Sequence, residues 1–202
     1  MSVLAKKLIE ERLRLPVTDE KSLVITPFLN PEEAFDVDSI DLRLGSYFLI
    51  PKASSVIELD PASPISESLY TRVHVPYRMS RHLVLAAHQT ILGATMEFIK
   101  LPHDVSGQIL TKSSVARMFM VIETAPWIHP FYRGCLTLEI ANVSNTPLRI
   151  YPGMPIGQLI LMETPGAEVP QKINTSYFGP VYPEPPRFHD FKTKLPNVRA
   201  SI

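Results

Sequence analysis

The stretch GCLTLEIAN, residues 134–142, decides how the chain is read. Leu136, Leu138 and Ile140 fall on one face of an extended strand, and Cys135, Thr137, Glu139 and Ala141 on the other. Glu139 is then the one charge on a face of otherwise small side chains. Such a carboxylate is either a solvated strand residue or one held in place to move a proton.

The same period spreads outward from this strand. SIDLRLGSYFLI, residues 39–50, alternates Ile40, Leu42 and Leu44. Residues 82–102 read as two strands around a turn, ending at Pro102. Residues 105–114, 117–124, 134–144, 147–152 and 155–163 continue the pattern, with Pro, Gly, Asn or Ser at the turns. Upstream, residues 22–35 give a short apolar strand and a proline-marked turn. Leu4, Leu8 and Ile9 recur at helical spacing among charges and predict one amphipathic helix over residues 3–13. Short strands at regular spacing predict a mainly β sandwich, jelly roll or barrel. Twenty prolines against eight glycines disfavour a mostly helical chain.

The length of 202 residues suits one domain with a sizeable core. Twenty basic and 20 acidic residues cancel, so bulk charge gives no reason to expect nucleic acid or an anionic membrane. A local basic pocket for a small anion stays open. The single cysteine, Cys135, excludes an intramolecular disulfide and favours a reducing compartment. The start, MSVLAKKLIEERL, lacks a signal-peptide pattern, and no apolar run approaches the ~18 residues of a membrane-spanning helix. A cytoplasmic protein is expected.

From Thr164 the character changes. Residues 164–202 hold many prolines and little periodicity, as a disordered tail does, or an arm that orders across a ligand or a neighbouring subunit. Tyr177, Phe178, Tyr182, Phe188 and Phe191 favour the arm.

Several common chemistries are missing. The six histidines have no paired helical spacing, and with one cysteine a structural zinc site is not expected. The His-x-Glu and Pro-Cys-x-x-Cys pattern of zinc deaminases is absent, as are the phosphate loop, G-x-G-x-x-G and G-x-S-x-G. Two clusters join Glu139 as candidates. TKSSVAR, residues 111–117, sets two hydroxyls between Lys112 and Arg117 at a strand-to-turn junction. That suits a phosphate, and it also describes a polar turn with solvated charges. ETAPWIHPFYRG, residues 123–134, carries two prolines. It is either a stiff connection that presents carbonyls and aromatics to a ligand or a hairpin loop whose Trp127, Phe131 and Tyr132 cover the core edge.

Taken in order, SIDLRLG, MEFIKLPHDVSGQILTKSSVARMFM and TAPWIHPFYRGCLTLEIANVSNTPLRIYPGMPIGQLILME resemble the dCTP deaminase branch of the dUTPase superfamily. LVITPFLNPEEAFDVDSIDLRLG also resembles that branch's usual opening, and the resemblance spans residues 3–163. It implies a distorted β-barrel or jelly-roll domain over residues 1–163 followed by the 164–202 arm. It further implies a homotrimer with sites between subunits, and zinc-independent deamination of dCTP to dUTP with magnesium on the triphosphate. Glu139 matches the catalytic glutamate, Ser113 the serine that helps fix the water, and the Ala125 carbonyl a second acceptor for that water. Lys112, Ser114 and Arg117 match positions that bind phosphate or brace the site, and Leu136 and Thr137 would meet the base through their backbone.

The departures bear on substrate binding. Lys112 stands where arginine is usual and loses the bidentate fork. Trp127 stands where some members have a phosphate-binding arginine. His129 replaces the aspartate that accepts from the sugar 3′-hydroxyl, which counts against dUTP hydrolysis by the usual route. The tail lacks the usual GKYQGQ stretch; Tyr177, Tyr182 and Arg187 stand as partial substitutes, with Tyr132 on the nucleotide side. Two rivals to the deaminase follow: a non-catalytic or regulatory nucleotide-binding homologue and a dUTP diphosphatase.

Overall fold

The long apolar alternations become strands, and among the described residues the strands assemble into three antiparallel sheets. The structure is a computed structural model, and it describes residues 2–52, 67–123, 125–166 and 179–187. Its order is α1 (Lys6–Arg14), β1 (Val24–Thr26), α2 (Pro31–Ala34), β2 (Ser39–Arg43), β3 (Tyr47–Pro51) and β4 (Tyr70–His74). There follow β5 (Leu83–Leu85), β6 (Thr90–Lys100), β7 (Val105–Thr111), α3 (Ser113–Ala116), β8 (Met120–Ile122) and β9 (Trp127–Ile128). The series closes with β10 (Arg133–Asn142), β11 (Leu148–Ile150) and β12 (Pro155–Glu163). Among the described residues, no helix is long and apolar enough to cross a membrane.

The larger sheet runs β4-β3-β6-β10-β8, with β1 also on β6; the second runs β2-β12-β7-β9, and β11 pairs with β5. Leu42, Leu44, Phe48, Ile91, Leu138, Ile140 and Leu159 fill the core, each almost fully buried. Burying one such side chain stabilises by about 1.5–3 kcal/mol, so the alternation that predicts the strands also holds the sheets face to face.

Residues 39–50 are not one strand. The chain turns at Gly45, whose amide donates to the Ala94 carbonyl (2.7 Å). A Cβ there would lie 2.9 Å from that oxygen, so only glycine permits the approach. The turn sends β2 to one sheet and β3 to the other. The expected strand over 105–114 stops at Thr111, where α3 begins, and only Met120–Ile122 of 117–124 pairs. A left-handed Phe119 (φ 60°), its amide donating to the Ala116 carbonyl, closes the turn between them. β4 lies in a stretch that the alternation does not mark.

Two ion pairs fasten these parts. Arg12 of α1 forks onto Asp104 in the β6–β7 turn, at 2.9 and 2.7 Å. Burial alone would raise the Asp104 carboxyl, but the hydrogen bonds and charge of Arg12 outweigh it and hold it below its ordinary value. Glu97 of β6 is fully buried; its Oε2 accepts the Arg43 amide (2.9 Å) and its Oε1 lies 3.6 Å from the Arg43 guanidinium. Burial pushes the Glu97 carboxyl above its ordinary value despite Arg43.

Candidate active site

The hydroxyl-rich turn starts where β7 ends. Lys112 sits at the N-cap of α3, and Ser113 and Ser114 stand exposed in its first turn, with Arg117 exposed at its C-cap. Lys112 is already engaged: its ammonium pairs with Asp41 of β2, across the outer face of the second sheet. Asp41 Oδ1 is buried and has no hydrogen-bond partner among the described residues. The lysine charge is thus neutralised locally, which leaves Arg117 as the exposed cation of this turn.

β8 bridges this turn to the strand that opened the reading. The Ile122 amide donates to Thr111 Oγ1 (2.8 Å), immediately before Lys112. Ile122 pairs with Ile140 in the register of β8 on β10. One residue on, the Glu123 amide donates to the Glu139 carbonyl (2.8 Å). Ala125 is exposed beyond this link, and the neighbouring Pro126 carbonyl accepts the Ile109 amide (3.0 Å). Thr124 lies outside the described residues. In β9, Trp127 pairs with Gln108 and keeps its ring partly exposed, while His129 is exposed at the loop tip. Tyr132 turns inward and donates its hydroxyl to the Cys135 carbonyl (2.9 Å). Burial, with Cys135 and Glu184 nearby, raises the Tyr132 phenol well above its ordinary value.

On β10, Leu136, Leu138 and Ile140 do face the core. Leu136 also donates its amide to Thr95 Oγ1 (2.9 Å), so that N–H points to β6. Glu139 lies opposite Leu92 of β6, which pairs with Leu49 of β3. Thr137 lies opposite Ala94, one step along the same outer face. Leu49 and Ala94 are buried although they face away from the core, because something covers them.

Part of the cover is the C-terminal arm, docked on its own chain. The Gly179 amide donates to the Arg133 carbonyl (2.8 Å), and the Cys135 amide to the Pro180 carbonyl (2.7 Å). Tyr182 meets Tyr47 edge-on with ring centres 4.6 Å apart, and Tyr47 stacks on His74 at 4.4 Å. The Glu184 amide donates to Thr137 Oγ1 (3.3 Å). Pro180, Pro183 and Pro185 are buried against the sheet, and burial pushes the Cys135 thiol beneath them up to about 11. Gly134 makes the seat: its φ is +143°, and a Cβ would fall 2.4 Å from Pro180 Cδ. Tyr177 lies outside the described residues, as do Phe178, Phe188 and Phe191.

The structure therefore gathers Glu139, Thr137 and Tyr182 on one sheet face. It ties that face through β8 to the turn of Ser113, Ser114 and Arg117. Trp127 stands in β9 and His129 just beyond it. Two charged residues near the site escape sequence reading, Asp41 and Glu184. Asp41 had one signal, an acid on the polar side of an apolar alternation. Glu184 had only its place among prolines. Among the described residues, no group of three or more His, Cys, Asp or Glu is placed to hold a metal ion.

The backbone matches the crystal structure of 2′-deoxycytidine 5′-triphosphate deaminase from Agrobacterium tumefaciens with a TM-score of 0.58, at 23% identity. The match covers 79% of this chain and 47% of that one. The match shows a mainly β fold shared with that structure. The dCTP deaminase-like family matches residues 7–164, and the chain belongs to that family. A Nanoarchaeum equitans relative named dCTP deaminase, dUMP-forming, is 35% identical over 169 residues, covering 76% of this chain and 83% of its own. Relatives of the same name come from Corynebacterium jeikeium (37% identical; 73% and 79% covered) and Dictyoglomus turgidum (32%; 75% and 78%).

Proposed function

We propose that this chain deaminates dCTP by hydrolysis, with Glu139 as the proton-transfer group. The observation that carries the reading is the placement of Glu139. Its side chain stands on an outer sheet face, and its backbone carbonyl is tied through Glu123 and Ile122 to the turn that bears Ser113, Ser114 and Arg117. General acid–base work needs a carboxylate in reach of both the water and the ring nitrogen. Glu139 takes a proton from the water and delivers one to N3 of cytosine. The hydroxide adds to C4, Glu139 passes the proton of the new C4 hydroxyl to the amine, the C4–N bond breaks, and ammonia leaves behind a uracil carbonyl. The Ser113 hydroxyl and the Ala125 carbonyl orient the water. Arg117 and Ser114 face the phosphates, while Lys112, held by Asp41, braces the turn. Magnesium carried on the substrate's triphosphate would screen its charge, held by phosphate oxygens. Active sites form between subunits of a homotrimer.

The relatives' shared name favours a second step. Another water attacks the α-phosphorus of dUTP, and pyrophosphate leaves with dUMP as the nucleotide product. His129, in place of an aspartate, weighs against that step in this chain. The relatives' names weigh against a non-catalytic homologue.

One assay separates these readings. dCTP is incubated with magnesium, ammonia is measured, and nucleotides are resolved by anion exchange. Ammonia with dUTP supports deamination alone; ammonia with dUMP and pyrophosphate supports both steps. Glu139→Gln loses at least a hundredfold in ammonia release, roughly the size of a general acid–base contribution, and keeps the wild-type melting temperature. Wild-type protein that releases no ammonia from dCTP refutes the reading. Full activity in Glu139→Gln removes Glu139 from it.

A further inference from the structure

The two-stranded sheet of β5 and β11 belongs to neither larger sheet, and it carries charge of one sign. Twenty of the 202 residues are acidic, yet residues 70–96 and 140–162, which hold both strands and their flanking turns, contain none. They contain no lysine either; their cations are arginines. Arg78, Arg81 and Arg149 are exposed, and no guanidinium of the three has a hydrogen bond or ion pair among the described residues. Arg12, Arg43 and Arg187, by contrast, each meet a carboxylate. Zero net charge hides this face, because residues 19–41 hold seven acids and a single cation.

Register places the free arginines on one surface. Val84 of β5 lies opposite Arg149 of β11. One alternation further along that outer face stand His82 and Tyr151, with ring centres 5.5 Å apart. Arg81 adjoins His82, and its amide closes a turn on the Arg78 carbonyl (2.8 Å). That turn leans on the end of β11: half-exposed Tyr77 brings its Cδ1 to 3.6 Å from where a Gly153 Cβ would stand. Three unpaired cations thus flank three rings.

Cations gathered without acids attract a polyanion. The planar fork of arginine suits phosphate and carboxylate alike. The rings decide between them, because bases stack on aromatic faces and carboxylates do not. An open sheet face spreads its groups along the strands, whereas a small ligand is held in a concavity. A duplex would keep its paired bases away from the rings. We propose that the β5–β11 face, with the turn at 77–81, binds single-stranded nucleic acid, the arginines on phosphates and the rings against bases. This surface is separate from the Glu139 face and needs nothing from the deaminase reading.

The test is fluorescence anisotropy on the whole chain, with a labelled thymidylate oligonucleotide of about 20 nucleotides in about 50 and about 200 mM salt. Thymidylate offers no cytosine to Glu139. Three single-strand phosphate contacts give a salt slope of about −2, so affinity falls about twentyfold across that range. Arg78→Ala, Arg81→Ala and Arg149→Ala each make the slope shallower by about 0.7, and the triple variant loses the binding. Tyr77→Ala weakens it about tenfold at fixed salt, as for one stacked base. Thermal melts check that these exposed substitutions leave the fold intact. The proposal is overturned if the oligonucleotide does not bind, if the triple variant binds it as wild type does, or if an A·T duplex of the same length binds at least as tightly. It also fails if an oligoglutamate peptide binds through the same arginines and thymidylate does not, which would make the partner an acidic protein.

Discussion

Gly134→Ala tests whether the arm is seated by the strand beneath it. The new Cβ falls 2.4 Å from Pro180 Cδ and 3.0 Å from Pro180 Cγ, at a residue whose φ is +143°. Both problems have one remedy, retreat of the arm. Backbone strain of this kind costs about 1–2 kcal/mol. Retreat also breaks the Gly179–Arg133 and Cys135–Pro180 hydrogen bonds, at about 1 kcal/mol each. The docked arm is then weakened by about 3 kcal/mol, roughly a hundredfold in its opening equilibrium. Gly179→Ala is the control, because Gly179 has φ +74° but nothing within 4 Å of its added Cβ. It carries strain alone and opens the arm about tenfold. Native-state hydrogen exchange at the Cys135 amide reads both variants, since that N–H is covered only while Pro180 stays docked. A Cys135 amide as protected in Gly134→Ala as in wild type refutes the seat. Equal acceleration in the two variants refutes the steric part of the reasoning.

Two further predictions concern the ion pairs. Arg12→Leu lowers stability by about 1 kcal/mol at pH 7, an amount discounted for partial exposure. Because Arg12 holds the Asp104 carboxyl below its ordinary value, that contribution is complete above the unfolded carboxylate range, ~3.9. It fades as pH falls through the lower folded value, so urea-unfolding curves of the two proteins converge in acid; a constant gap from pH 7 to 3 would contradict this. Asp41→Asn strips Lys112 of its counter-charge in a half-buried place and destabilises by about 2 kcal/mol. Thermal melts check it, and an unchanged melting temperature means the pair holds nothing.

Periodicity found most of the sheet and missed what depends on distant partners. GCLTLEIAN is a strand because its alternation matches a core on one side, and the boundary lands at Arg133–Asn142. The amphipathic helix expected over 3–13 forms at Lys6–Arg14, because residues 3 and 4 extend instead: Val3 bridges to Met162 and the Leu4 amide bonds the Leu161 carbonyl. SIDLRLGSYFLI reads as one strand but is cut at Gly45, whose constraint is the Ala94 carbonyl, about fifty residues away in sequence. The candidate site divides the same way. Glu139 was visible as an odd charge on a small-residue face. Asp41 as the partner of Lys112, and Glu184 as a neighbour of Thr137, arise only from folding, since strand pairing and arm docking join residues that share no local pattern. An aromatic tail hinted at an arm; where it docks depends on Gly134, whose missing side chain carries no periodic signal.

The short strand β8 has a consequence for how the site can vary. Its Ile122 amide holds Thr111 and the next amide holds Glu139, so a three-residue strut spans two sheets. The hydroxyl turn and the backbone of Glu139 are held at a spacing set by this strut and the hydrogen bond at each of its ends. Beyond it Ala125 and His129 are exposed and can change chemistry without touching the strut, whereas Ile128 is buried in the core and Tyr132 bonds the Cys135 carbonyl. Replacements such as Trp127 and His129 are therefore cheap to try: they retune what is held while the reacting pair keeps its spacing.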